Sequence, residues 1–214
     1  MYPIDEFLTN AQVAIENTLN NPNLRARLGE FGYDRQRLFQ GKALLEDALQ
    51  AQLHQQTEYG DQANATADLQ KARATAENSY MRLVKVARIA LKDNPGALVR
   101  LGLNGKRKRS LSGWLLQAQQ FYAGVQTAPE LMAALGQYGI TRSKLIAAEA
   151  DMTAVIAANQ LQEKEKGDAQ TATKTRDAAL DALADWFSDF LAIARIALEG
   201  NPQMLEAIGV TEPS

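Results

Sequence analysis

An all-α fold follows from three observations. Apolar and small residues recur at steps of three and four along the chain, and no stretch alternates with period two. The sequence also contains itself twice at a fixed offset of 107 residues without a gap, so that Leu24–Leu103 set against Leu131–Val210 gives 25 identities in 80 paired positions. Repetition at this level makes each copy the same supersecondary unit. The predicted architecture is therefore a pair of internally duplicated antiparallel helical hairpins packing as a four-helix bundle, with additional short helices.

The elements read in order as follows. A first helix is expected from Asp5 to Asn20, and its counterpart from Ser112 to Gln126. Asn21-Pro22-Asn23 and Ala128-Pro129-Glu130 break the chain, with proline suited to the first turn of a short helix. That helix closes at Gly29 to Gly32, or at Gly136 to Gly139. Asp34 and Thr141 are N-cap residues by type and open long helices carrying Leu38, Leu45 and Ala48, or Leu145, Met152 and Val155. Gly60-Asp61 and Gly167-Asp168 combine a helix-stopping glycine with a capping aspartate, and predict the hairpin tips. The return helices carry Leu69, Ala72, Ala76, Ser79, Leu83, Val86 and Ala90, or Ala179, Leu183, Trp186, Phe190, Ile193 and Ala197. Asn94-Pro95 and Asn201-Pro202 end them, and a final turn closes on Gly102 or Gly209. Trp114, Phe121, Tyr122, Trp186, Phe187 and Phe190 are expected to thicken one common core near the closed end.

The domain reading is a single all-helical domain, 1–214, made of two tandem repeats: repeat 1 at 1–105, a basic linker at 106–111, and repeat 2 at 112–214. An array of separate three-helix bundles is the rival. The junction Asn104-Gly105-Lys106-Arg107-Lys108-Arg109-Ser110 argues against it, because glycine and a run of like charge read as a flexible linker.

Composition sets bounds on chemistry. The absence of cysteine excludes disulfides, thiolate metal sites and a thiol nucleophile. Net charge is −2, with residues 1–107 at +2 and 108–214 at −4, which is too little positive charge for a dedicated nucleic-acid binder. The opening Met-Tyr-Pro-Ile-Asp-Glu lacks the basic start of a secretory signal, and no apolar run approaches a membrane span, so a soluble cytoplasmic protein without membrane association is expected.

Few constellations carry chemistry. Lys106, Arg107, Lys108 and Arg109 form the strongest charge cluster, able to meet an anion or a partner. No aromatic residue is interleaved with them, so nucleic acid is not the expected ligand. Arg88 and Arg195 occupy equivalent places near the ends of long helices and are further candidates for anion or partner contact. Asp177, Asp181, Asp185 and Asp189 form an acidic stripe, whose expected complement is Lys71, Arg82 and Lys85 of the first copy. His54 is the only histidine, and the Glu-x-x-His pairs of a carboxylate-bridged metal bundle are missing. No phosphate-cradling glycine loop, nucleophile elbow or zinc motif is present. The expected function is a non-enzymatic structural or protein-interaction helical bundle, with no catalytic residue, cofactor or metal and with a protein partner or self-association. The alternative is a small-ligand or anion binder with a site between the two repeats near Arg88 and Arg195.

Overall fold

The protein is described here by a computed structural model covering residues 3–210; the outermost ends of the two predicted repeats lie outside the described residues. Eight helices follow one another among these residues, with no strand: α1 (Ile4–Asn20), α2 (Pro22–Gly29), α3 (Arg35–Ala90), α4 (Pro95–Arg100), α5 (Leu111–Gln126), α6 (Pro129–Gly136), α7 (Arg142–Ala197) and α8 (Pro202–Ala207). The bounds of α2, α3 and α4, advanced by 107, are those of α6, α7 and α8.

Local chemistry sets these bounds. Asp5 and Glu6 lie in the first turn of α1, where carboxylates complement the helix dipole. The Asn21 side chain accepts from the amides of Asn23 and Leu24, and Pro22 begins α2 at a position where no amide is needed. Asp34 and Thr141 cap as expected, accepting from the amides of Arg37 at 2.8 Å and Lys144 at 3.3 Å. The turn after each short helix closes in one way: the amide following a positive-φ glycine donates to a carbonyl five residues back. This bond joins Tyr33 to Leu28 at 3.0 Å beside Gly32 (φ +84°), and Ile140 to Leu135 at 3.2 Å beside Gly139 (φ +76°).

The expected hairpin tips are absent. Both 56-residue helices, α3 and α7, run without interruption through Gly60-Asp61 and Gly167-Asp168. An interior glycine costs about 1 kcal/mol relative to alanine, which is small against breaking a helix flanked by good formers. Neither glycine takes positive φ, so neither acts as a stop.

With the hairpins open, two compact units form, and each draws on both halves of the sequence: one comprises residues 1–60 and 167–214, the other 61–166. The long helices pack against each other within each unit. In the first, Leu8, Ala11 and Ile15 of α1, Leu24 and Leu28 of α2, Leu38, Leu45 and Ala48 of α3, and Leu183, Phe187, Phe190 and Ala194 of α7 share one core, which α8 closes with Leu205. In the second, Tyr80, Val84 and Ala87 of α3 pack with Trp114, Phe121 and Tyr122 of α5 and with Leu145, Met152 and Val155 of α7. Each core thus joins three main helical segments and two short helices, where four long helices around one core were expected. Full burial of a leucine or phenylalanine contributes roughly 1.5–3 kcal/mol, so these side chains hold each unit together.

The expected common aromatic cluster is divided accordingly. Trp186 stacks on Phe190 (ring centroids 5.3 Å apart, planes at 9°), and Tyr33 meets both rings edge-on. In the other unit Tyr80 meets Trp114, Phe121 and Tyr122 edge-on. The return stripe of α3 is broader than the expected one: Ala76 and Leu83 are buried as expected, Leu69, Ala72, Val86 and Ala90 are partly buried against the same core, and Tyr80, Val84, Ala87 and Leu91 are buried beside them.

Candidate functional site

The segment between α4 and α5 was expected to be a flexible, solvated linker; residues 104–110 are exposed, whereas Leu101 and Leu103 before them are buried. It is nevertheless tied to its surroundings. Glu77 on α3 accepts from Arg73 Nε at 2.9 Å and from Arg107 Nη1 at 3.3 Å, and Arg73 Nη2 donates to the Arg109 carbonyl at 3.0 Å. From α5, Gln117 Nε2 donates to the Gly102 carbonyl while its Oε1 accepts from the Lys108 amide. Gln120 Nε2 donates to the carbonyls of Val99 and Arg100 at the end of α4, the former also accepting from the Gly102 amide. These side-chain bonds replace the helix that glycine and charge repulsion prevent.

The docked segment roofs a cavity of about 450 Å³ lined by Tyr80, Met81, Val84, Arg88, Leu103, Gly105, Lys106, Arg107, Arg109 and Gln117. Four of the six residues singled out from the sequence meet here: Arg88, Lys106, Arg107 and Arg109. Arg107 is compensated by Glu77. Arg88 donates only to a backbone carbonyl, that of Leu103 at 3.3 Å, and neither Lys106 nor Arg109 forms an ion pair among the described residues. Met81, Val84 and Leu103 supply the apolar part of the same lining.

Tyr80 is 2% exposed yet lines the cavity. Burial raises its pKa above the ordinary 10.0, against the opposing pull of Arg88 and Arg107. The phenol is therefore neutral at physiological pH and offers an O–H donor beside two guanidinium groups. Neither Tyr80 nor Glu77 was singled out from the sequence. Tyr80 falls outside the apolar stripe as first read, and the partnership of Glu77 with Arg107 crosses 30 residues.

The remaining candidates stand elsewhere. Lys108 lines a neighbouring depression with Val99, Leu116 and Gln120. Arg195 is exposed on α7 in the unit formed by 1–60 and 167–214, apart from this cluster. Asp177, Asp181, Asp185 and Asp189 are exposed in that same unit, and Asp177 pairs with the adjacent Arg176 at 2.6 Å. Their expected complements Lys71, Arg82 and Lys85 belong to the other unit. His54 approaches Glu58 on the next turn at 3.6 Å. No described helix is long and apolar enough to cross a membrane. Comparison with known proteins adds no lineage to this geometry, since no family model, curated protein or solved structure matches the chain.

Proposed function

We propose that this chain is a duplicated, non-enzymatic helical binding module whose cavity under the 104–110 segment holds a small amphipathic anion. The observation that carries the reading is the convergence of Arg88, Lys106 and Arg109, none paired with a carboxylate among the described residues, on a cavity that Met81, Val84 and Leu103 also line. Such a cavity matches a ligand with a phosphate or carboxylate head and a short apolar body. The lining contains no histidine or carboxylate, and its phenol is held neutral, so it supplies binding groups without a general base. The shared bounds of α2–α4 and α6–α8 support duplication as the origin of the fold.

Hexyl phosphate is a suitable probe. Isothermal titration at low salt is expected to show one saturable site, weakened by added salt through screening. Arg88→Ala with Arg109→Ala should lower affinity by at least about tenfold, since charge-assisted contacts contribute about 1.5–3 kcal/mol each. Equal binding by this double variant would overturn the assignment.

A specific observation also favours a protein-interaction role. Three pairs of large apolar residues at the 107-residue offset are exposed in both copies: Phe31 and Tyr138, Phe39 and Ile146, Ile89 and Ile196. Surface exposure kept twice fits contact with a partner or a second chain. Sedimentation of the intact protein against Ile89→Ser with Ile196→Ser tests self-association: a dimer that dissociates on substitution supports it, and a monomer in both cases removes that form of the reading.

A further inference from the structure

A second cavity, of about 430 Å³, lies between the C-terminal half of α3 and the start of α7 in the unit formed by 61–166. Leu83, Val86, Tyr138, Ile140, Ala147 and Ala148 make its apolar walls. Ser79, Asp151, Arg82 and Lys144 are its polar groups, and Ser79 Oγ donates to Asp151 Oδ2 at 2.6 Å.

The residues at the 107-residue offset show what this place holds in the other unit. Position 79 corresponds to 186, and there an indole fills the space. Trp186 packs so closely over Gly41 that a Cβ on that glycine would sit 2.3 Å from two ring carbons. The indole stacks on Phe190 and meets Tyr33, whose own ring lies 4.1 Å under the Arg37 guanidinium. In the 61–166 unit each of these bulky groups has a smaller counterpart: Ser79 for Trp186, Leu83 for Phe190 and Ile140 for Tyr33. Ala148 replaces Gly41 and restores only one methyl. The slot has therefore lost its built-in ring and remains open.

Charge changed with volume. Arg37 and Asp189 have opposite signs in the filled slot, whereas their counterparts Lys144 and Arg82 are both cationic. Asp151 stands where the filled slot has Leu44, and its bond from Ser79 holds it against the wall. The open slot thus presents an apolar cleft for a flat ring, an acceptor suited to a ring N–H, and two cations for an acid group.

We propose that this slot binds a small planar aromatic carboxylate of the indole-acid type, taking the place that Trp186 fills in the other unit. The ring seats against Leu83, Val86 and Ile140, displaced outward from the Trp186 position by the Ala148 methyl, and the carboxylate meets Arg82 and Lys144. This site is separate from the cavity beneath 104–110 and does not depend on that assignment.

The test is titration of the full chain with indole-3-acetate, followed by isothermal calorimetry and by saturation-transfer NMR of the ring protons. Saturation below about 1 mM is expected. Ser79→Trp with Ala148→Gly rebuilds the filled slot within the 61–166 unit and should reduce affinity by at least about tenfold, which is 1.4 kcal/mol, while leaving the melting temperature at or above that of the parent. Lys144→Glu, an exposed substitution that leaves the core alone, should reduce affinity for indole-3-acetate about tenfold while changing that for uncharged indole less than about twofold. The Arg88→Ala, Arg109→Ala protein should bind as the parent does. Absence of saturation at 1 mM, or unchanged affinity in Lys144→Glu, would overturn the proposal even if the refilled variant fails to fold.

Discussion

The contact between Gly41 and Trp186 gives a sharp prediction about what selects this fold. Alanine at position 41 places a methyl 2.3 Å from Cη2 and Cζ2 of Trp186 and 2.6 Å from Cζ3. Carbon atoms rest at about 3.5–4.0 Å, so the overlap exceeds about 1 Å, and it falls between a backbone-anchored atom and a ring already stacked on Phe190. Overpacking of this kind costs about 1–3 kcal/mol, and the rigidity of both partners places it near 3. Alanine returns about 1 kcal/mol of helix propensity, leaving a net loss of about 2 kcal/mol. At roughly 2–4 °C per kcal/mol for a chain of this length, Gly41→Ala should melt about 4–8 °C lower. The assay is thermal unfolding by far-ultraviolet circular dichroism across the cycle Gly41→Ala, Trp186→Ser and the double variant. With the indole gone the alanine should stabilise by about 1 kcal/mol, giving a coupling near 3 kcal/mol. A single Gly41→Ala protein that melts at or above the parent, or the same cost in both backgrounds, would refute the packing described here.

Further outcomes follow from other contacts. Gly60 and Gly167 are exposed inside continuous helices with open space where a Cβ would lie, so alanine at each should stabilise by about 0.5–1 kcal/mol; destabilisation in thermal melts would mean that these glycines turn the chain. Glu77→Gln removes the carboxylate that holds Arg73 and Arg107 and should speed limited tryptic cleavage after Arg107, while shifting global stability by less than about 1 kcal/mol because the pairs are partly exposed. Burial raises Tyr122, Tyr80 and Tyr33 above the ordinary 10.0. Their contribution is complete below pH 10 and is lost as pH rises towards their folded values, since the unfolded chain then binds fewer protons. Melting temperature should accordingly fall above pH 10, and Tyr122→Phe should flatten that fall while tolerating the lost hydroxyl well, because the buried oxygen has no hydrogen-bond partner among the described residues.

The local punctuation was legible in the sequence because its physics is local. Proline at the first helical position, capping Asp34 and Thr141, and glycines that take positive φ all act within a turn, and the helix bounds fall where these residues put them. The tips were misread because Gly-Asp resembles a stop and a cap, while the side chains packed against α3 and α7 lie tens of residues away in the sequence. The cavity under the 104–110 segment was half legible. Charge marked Arg88 and the 106–109 run, but only the fold shows that Glu77 and Gln117 dock this segment over Tyr80.

Small-to-large matching explains why the halves of α3 and α7 pair across the sequence instead of within each copy. If each long helix folded back on itself, position 41 would face 79 and position 148 would face 186. Gly41 opposite Ser79 leaves a void, whereas Ala148 opposite Trp186 places a methyl where the indole tolerates none, as the 2.3 Å approach at Gly41 shows. Ser79 would also lose the Asp151 carboxylate that it reaches at 2.6 Å and face Leu44, while Asp151 would be set against an aromatic wall. The observed pairing avoids the overlap and both unmatched polar groups, and leaves open the space beside Ser79 and Ala148. Two closed hairpins and two open helices share every local signal and nearly every apolar position, so the choice between them rests on a few positions where residues 107 apart differ in size. The same differences open the slot in the 61–166 unit: the residues that favour pairing across the sequence are those that leave this space unfilled.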